Sequence, residues 1–301
     1  MSRYGILTTT GLALAAMLLA APARARDDRE IEQRVAAEPR GEVTINIVSG
    51  SVEVQGWDRN EVEVTGSLNA GVERLDVLRE GNRVTIKAVV PKSSARRIDA
   101  DLAVRVPVAS NLEVTTVSAD IDTRGVSGPL RLRSVSGEIG ARDAASDSEL
   151  KSVSGDLRVG ATGAPIRLRA TSVSGSIVID DLAGELEAVS VSGDLLLDLG
   201  AVVNARVRTT SGDTRFGARL AKGARVDYES VSGDLTMKLG AETGFVAEAQ
   251  TFSGELSNCF GVKAEPTSKY GPGERLTVTR GEGSARVRVQ TMSGDVRICD
   301  R

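Results

Sequence analysis

The sequence predicts an all-β chain that folds as a right-handed parallel β-solenoid, or β-helix, with about 19–20 residues per coil and irregular β caps at both ends. Three observations predict this class. A phrase close to Val-Ser-Gly-Asp recurs along the chain, apolar residues recur in a fixed phase with it, and no window shows a sustained helical period. Hydrophobic residues make up 41% of the chain but aromatic residues only 3%, which favours narrow, regularly stacked coils.

A glycine occurs in nearly every copy of the phrase. The spacing of about 20 residues is typical of a solenoid repeat, and glycine permits the positive φ that a sharp corner requires. The glycines predicted to form these corners are Gly50, Gly137, Gly155, Gly175, Gly193, Gly212, Gly233, Gly254 and Gly294.

Apolar residues fall at positions −7, −5, −2, +2 and +4 relative to each glycine, as in Val226, Tyr228, Val231, Leu235 and Met237 around Gly233. Residues two apart share one face of a strand, whereas the odd step from −5 to −2 predicts a bend or bulge. Each repeat is therefore expected to form two short strands that stack in parallel on the next repeat. A β-sandwich is the alternative, but its alternating strand directions give no reason for an identical phase in every repeat.

The N-terminus resembles a secretory signal. Arg3 precedes the uncharged stretch 6–21, and Ala23-Arg24-Ala25 is a small-residue cleavage site. A retained membrane anchor is the less favoured alternative, because the stretch is shorter than the ~17 residues that a span needs. We expect a mature chain from Arg26, or else from Arg24, located in the periplasm, outside the cell or on its surface, with no membrane span.

Four regions are predicted along the chain. They are a signal peptide over 1–25, a linker over 26–40, an N-terminal β region or cap over 41–110, and solenoid repeats with a C-terminal cap over 111–301.

Composition excludes several function classes. The chain has no histidine, which removes the commonest general base, the commonest metal ligand and any Ser-His-Asp arrangement. Its net charge of −3 provides no electrostatic footprint for nucleic acid. We therefore predict no catalytic, cofactor-binding or metal-binding residues, and a partner that is an envelope or extracellular protein or a glycan.

Two polar ladders accompany the corner glycines. The acidic residues that follow the glycines are compatible with calcium, but Ser176 interrupts them and we expect solvated turn residues that accept backbone N–H groups. The serines that precede the glycines have no repeating base beside them, so we expect them to satisfy corner backbone groups. The acids are Glu138, Asp156, Asp194, Asp213, Asp234, Glu255 and Asp295, and the serines are Ser136, Ser154, Ser174, Ser192, Ser211, Ser232, Ser253 and Ser293.

The two cysteines, Cys259 and Cys299, each lie five residues after a repeat glycine. Export would place them in an oxidising compartment. If residues 260–285 leave the stack as a loop and hairpin, the two strands are neighbours and a disulfide is possible. If the segment between Gly254 and Gly294 contains an extra coil, the separation is too large. The two prolines in this segment, Pro266 and Pro272, favour the loop and therefore the disulfide.

The repeated VSGDL phrase, the segment VQGWDRNEVEV over 54–64 and the closing ARVRVQTMSGDVRI over 285–298 resemble the bacterial putative-adhesin family of β-strand-repeat proteins. The resemblance covers about residues 41–300. It implies an exported β-solenoid without known activity, and no catalytic residue is carried over. Trp57, within the second motif, is expected to pack in the cap rather than to form an exposed contact.

We therefore expect a non-catalytic exported cell-envelope protein with an adhesin-like binding or scaffold role. The alternatives are a glycan-active β-helix enzyme and a structural, stress-linked envelope protein with no specific ligand.

Overall fold

The computed structural model describes residues 29–91, 98–241, 244–268 and 271–300. Every regular element in these residues is a β-strand. The 22 strands are β1 Arg29–Ala36, β2 Glu42–Trp57, β3 Glu61–Leu68, β4 Arg74–Glu80, β5 Arg83–Val89, β6 Ala100–Pro107, β7 Asn111–Arg124, β8 Leu130–Ser134, β9 Ile139–Ala144, β10 Ser148–Ser152, β11 Leu157–Ala161, β12 Pro165–Ser172, β13 Ile177–Ser192, β14 Leu195–Ser211, β15 Thr214–Ser230, β16 Leu235–Gly240, β17 Gly244–Ser253, β18 Leu256–Asn258, β19 Glu265–Pro266, β20 Glu274–Gly281, β21 Ala285–Ser293 and β22 Val296–Asp300.

The strands form a β-solenoid-like stack of parallel coils with two faces. Face A consists of the strand segments that precede each corner glycine, and face B of those that follow it. On face A the order is β4, β5, β2, β7, β8, β10, β12, β13, β14, β15, β21, β17, β20 and β19. On face B it is β1, β3, β6, β2, β7, β9, β11, β13, β14, β15, β16, β22 and β18.

The two ends depart from parallel stacking. At the N-terminal end β1 pairs antiparallel with β3 and β4 with β5, and at the C-terminal end β20 pairs antiparallel with β17. The expected linker over 26–40 is partly wrong, because β1 lies within it. In β1 the half-buried Ile31 and Val35 alternate with charged side chains, so the segment has the period-2 pattern of a strand.

The predicted inward row at position −2 is wrong. Val231 is 49% exposed, whereas Val226, Tyr228, Leu235 and Met237 are buried as expected. The side chains at positions −7, −5 and −3 relative to the glycine are all buried, and from Gly137 onward those at −3 are small hydroxyl residues. The strand therefore continues with its ordinary two-residue alternation past position −5, without the bend that was predicted there. The turn falls over the Val-Ser-Gly residues themselves.

The order of the coils is not the order of the sequence at the C-terminal end. The last coil, residues 285–300, pairs on one side with β15 and β16 and on the other with β17 and β18. It therefore lies between residues 225–240 and residues 244–258. The segment between Gly254 and Gly294 holds no additional parallel coil in its described residues, only the strands β18 to β21.

Candidate functional site

At every corner from Gly137 to Gly294 a buried hydroxyl lies three residues before the glycine, whereas Ile47 occupies this position at Gly50. Ser134 Oγ accepts a hydrogen bond from the Gly137 N–H at 2.8 Å, and Ser152 and Ser172 do the same for their own glycines. From Thr209 onward the hydroxyl instead donates to the carbonyl two residues later. Ser190 lies between the two groups, and its buried Oγ has no hydrogen-bond partner among the described residues.

The corner glycines stack directly on one another. A Cβ added to Gly155 would lie 2.0 Å from the Gly137 carbonyl oxygen, and at Gly175 it would lie 2.1 Å from that of Gly155. The φ angle is positive at Gly193 (140°) but not at Gly137, Gly155 or Gly175. The requirement that these corners share is therefore the absence of a side chain, because the coils approach too closely for a Cβ.

The acidic ladder serves the backbone of the neighbouring coil. Asp194 Oδ1 accepts the N–H of Asp213 at 3.0 Å, and Asp213 Oδ1 accepts that of Asp234 at the same distance. The same bond runs from Ser176 to Asp156, where the ladder is interrupted in sequence. No group of three or more acidic or cysteine side chains suited to a metal occurs in the described part of the chain.

The serines before the glycines are at the surface. Their backbone N–H groups form hydrogen bonds to the neighbouring coil. The Ser154 N–H donates to the Val135 carbonyl at 2.9 Å, and the Ser174 N–H to that of Val153 at 2.9 Å. The hydroxyl of Ser211 donates to the Val191 carbonyl at 3.4 Å, so it serves a backbone group of the neighbouring coil.

An exposed apolar ladder runs beside these serines. Its side chains are 41–60% exposed and occupy position −2 of successive coils, in the spatial order Val117, Val135, Val153, Val173, Val191, Val231, Met292 and Phe252, with Thr210 between Val191 and Val231. Nine coils spaced by about 4.8 Å give the ladder a length of about 38 Å. Sequence reasoning placed these residues in the core, because an apolar repeat alone does not distinguish an inward row from an outward one.

Charges alternate from coil to coil along the centre of face A. The residues at position −6 are, in spatial order, Glu113, Arg131, Glu149, Arg169, Glu187, Arg206, Asp227, Arg288 and Glu248. Ion pairs link neighbouring coils, as between Arg169 and Glu187 at 2.7 Å. Each exposed pair contributes little, but like charges on adjacent strands are destabilising. If the coils were stacked in the order of the sequence, Asp227 would lie beside Glu248. The coil that carries Arg288 lies between them and separates the two acids.

A shallow groove crosses face B. Two adjoining depressions of about 520 and 660 Å³ share Val178 and Asp180. Gly140, Gly160 and Gly217 lower the floor because they carry no side chain. Burial raises the pKa of Asp180, and the neighbouring carboxylates of Asp198 and Asp181 raise it further.

Trp57 packs in the N-terminal cap. Its Nε1–H donates to the Glu61 carbonyl at 2.9 Å, and the Arg59 and Arg105 guanidinium groups lie 5.0 and 5.7 Å from its ring centroid. Arg105 also pairs with the buried carboxylate of Glu63 at 2.9 Å. These contacts half-bury the indole and give it a packing role.

Cys259 and Cys299 form a disulfide with a Cα–Cα distance of 4.8 Å. The prediction of this bond is confirmed, and the reason is the one expected: most of 260–285 leaves the parallel stack. The sequence did not indicate that β22, which carries Cys299, lies between β16 and β18, the strand that directly precedes Cys259. The predicted signal peptide over 1–25 lies outside the described residues. The described residues contain no helix long and apolar enough to cross a membrane.

A family model described as Toastrack DUF4097 matches residues 17–243 and, in a second match, residues 185–299. Among solved structures, a putative lipid binding protein from Parabacteroides distasonis is 13% identical, with a TM-score of 0.45 over 70% of this chain and 93% of that one. A putative adhesin from Bacteroides fragilis is 11% identical, with a TM-score of 0.42 over 91% of this chain and 97% of that one. No curated protein matches the sequence.

Proposed function

The chain belongs to the Toastrack DUF4097 family, and from that premise we propose that it is an exported, non-catalytic binding protein of the cell envelope. The observation that carries the proposal is the apolar ladder. A soluble monomer rarely exposes a continuous apolar row of this length without a binding role. The disulfide supports an oxidising location outside the cytoplasm, in agreement with a signal peptide over 1–25 and a mature chain from Arg26.

The flanks of the ladder indicate what it binds. On one side runs the acidic ladder, whose carboxylates accept backbone N–H groups. A row of acidic residues would repel an anionic membrane surface or a nucleic acid. The ladder contains one aromatic residue, Phe252, so it lacks the row of aromatic platforms usual in sugar sites. We propose a protein partner whose apolar side chains are bordered by Lys or Arg, rather than a glycan.

The architecture supports a scaffold for this role. Stacked parallel coils connect in a right-handed sense in about 98% of cases, and we propose that hand. We also propose that the regular repeats over 111–301 present the ladder and that residues 41–110 form the N-terminal cap. The protein would act in the periplasm, outside the cell or on its surface.

The test replaces ladder valines by threonine, a residue that already occupies this position as Thr210. The triple variant Val135→Thr, Val153→Thr, Val173→Thr should change the free energy of unfolding by less than about 0.5 kcal/mol per site, as is usual for surface sites. The matched control, Val159→Thr, alters a side chain that is 2% exposed and should cost about 1–3 kcal/mol.

Binding is then read by photocrosslinking in the native host, with a photoreactive residue at Ser154 beside the ladder. We expect one defined protein adduct that disappears in the triple threonine variant. An adduct of unchanged yield in that variant would show that the ladder is not the binding surface.

A glycan-active enzyme is the second candidate, because the face B groove holds paired carboxylates. Asp180 and Asp198 occupy the same position in adjacent coils, and the pKa of Asp180 is raised, as a general acid requires. Release of reducing sugar from envelope or plant polysaccharides, abolished by Asp180→Asn, would favour the enzyme over the binding protein.

A further inference from the structure

The last coil occupies a slot between two coils that precede it in sequence. Residues 285–300 pair with β15 and β16 on one side and with β17 and β18 on the other. Among the described residues, β17 and β18 reach the rest of the stack through this coil. The described residues 244–268 and 271–281, which include β17, β18 and their cap, therefore form a flap over the inserted segment.

The slot is complementary to the segment that fills it. Arg288 lies between Asp227 and Glu248, so its charge is complementary to both neighbours. At the corner, the Asp295 N–H donates to Asp234 Oδ1 and the Glu255 N–H to Asp295 Oδ1, both at 2.9 Å. The slot thus recognises a strand by backbone pairing, inward apolar residues and one central positive charge.

The flap is weakly held on face B. There β18 pairs with β22 over only three residues, from Leu256 to Asn258. Beyond them the chain leaves the stack, and the disulfide joins Cys259 to Cys299. Cys259 is exposed and Cys299 half-buried, so an external thiolate has access to the bond. On face A the same two coils pair over eight residues, so face B is the side that opens first.

We propose that the Cys259–Cys299 bond is a latch on the last coil, and that the opened slot accepts residues 285–300 of a second copy of this chain. A dithiol reductant opens the first copy and is itself oxidised to its disulfide. The Cys299 thiolate of that copy then attacks Cys259 Sγ of an oxidised copy. The bond inside the oxidised copy breaks, which opens its slot so that its own last coil gives way to that of the first copy. A Cys299–Cys259 bond forms between the copies, and the displaced Cys299 thiolate takes a proton from water. This inference does not depend on the proposed binding function.

The experiment mixes reduced, ¹⁵N-labelled full-length chain, freed of reductant, with oxidised unlabelled chain. Non-reducing digestion and mass spectrometry then identify the isotopes in each Cys259–Cys299 peptide pair. We expect mixed-isotope pairs, and hydrogen exchange on the mixed dimer should show residues 285–300 as protected as in the monomer. Absence of mixed pairs, or an unprotected segment within the dimer, overturns the proposal.

A charge-reversed donor separates specific insertion from random thiol collision. With Arg288→Glu in the labelled donor, the yield of mixed pairs should fall about tenfold, because two cross-strand contacts become repulsive. The matched control is Arg297→Glu, whose neighbours are the uncharged Thr236 and Ser257, and its yield should equal that of the wild type. The acceptor remains wild type throughout, so its slot is intact. Equal yields from the Arg288→Glu and wild-type donors would overturn the proposal.

Discussion

Replacing Gly155 by alanine tests whether the corner glycines are needed for stacking rather than for their backbone conformation. The φ of Gly155 lies outside the left-handed region, so alanine does not meet the strain of that region there. Its Cβ, however, would lie 2.0 Å from the Gly137 carbonyl oxygen and 2.5 Å from the carbonyl carbon. An ordinary contact needs more than 1 Å of additional space, and both neighbouring groups are backbone.

The cost follows from what must move. Separating the two corners by about 1 Å breaks the bond from the Ser154 N–H to the Val135 carbonyl, now 2.9 Å. Overpacking costs about 1–3 kcal/mol, and the loss of one hydrogen bond about 0.5–1.5 kcal/mol. We expect Gly155→Ala to lower the free energy of unfolding by about 3 kcal/mol.

Gly160 is the matched control, because it lies in the same coil, its φ is also outside the left-handed region, and no atom lies within 4 Å of an added Cβ. Gly160→Ala should stabilise the protein by about 0.4–1 kcal/mol, since alanine restricts the unfolded chain. Urea unfolding followed by circular dichroism, with equal m-values, gives both free energies. If the two variants unfold within about 0.5 kcal/mol of each other, an error typical of such extrapolations, the stacking explanation is refuted.

Four further predictions follow from the same coils. Gly193→Val should cost at least about 1–3 kcal/mol in urea, because the φ of 140° is a true outlier for valine, and a Val variant as stable as wild type would contradict this. Reducing the disulfide, which spans 40 residues, should cost up to about 4 kcal/mol, and an unchanged urea midpoint would count against its stabilising role. Millimolar Ca²⁺ should raise the melting temperature no more than matched ionic strength does, because the ladder carboxylates already accept N–H groups. Asp180→Asn should stabilise the protein at neutral pH, because the raised pKa means that ionised Asp180 is penalised in the folded state. The gain in the free energy of unfolding should vanish below pH 3.8, the group's ordinary pKa, because Asp180 is then protonated in both the folded and the unfolded state. A gain that persists below this pH would be inconsistent with this cause.

The sign of the Asp180 effect can be checked against Glu149. A hydrogen bond from Lys151 lowers the pKa of Glu149, so its contribution to stability is present above its ordinary pKa and is lost as the pH falls through the lowered value. Glu149→Gln should therefore destabilise the protein at neutral pH and have no effect in acid, the opposite of Asp180→Asn.

The coil order was readable from the sequence, but only with a second periodic signal. The position six residues before each glycine alternates in charge, and the two consecutive acids Asp227 and Glu248 break the alternation. Arg288 restores it when its coil is placed between them. The apolar period carries no information on the order of the coils, because every coil has its inward apolar residues at the same positions relative to its glycine.

The sequence by itself determined the repeat length, the all-β class, the glycine positions and the pairing of the two cysteines. These features depend on the period of the apolar residues and on their positions relative to the glycine, both of which can be read within one repeat. Only the tertiary structure decided that Val153 and its equivalents face solvent, that Ser152 and its equivalents are buried, and that the last coil is inserted. The direction of a side chain at a corner depends on where the neighbouring coil lies, and the order of coils depends on charges that meet only when distant segments are stacked.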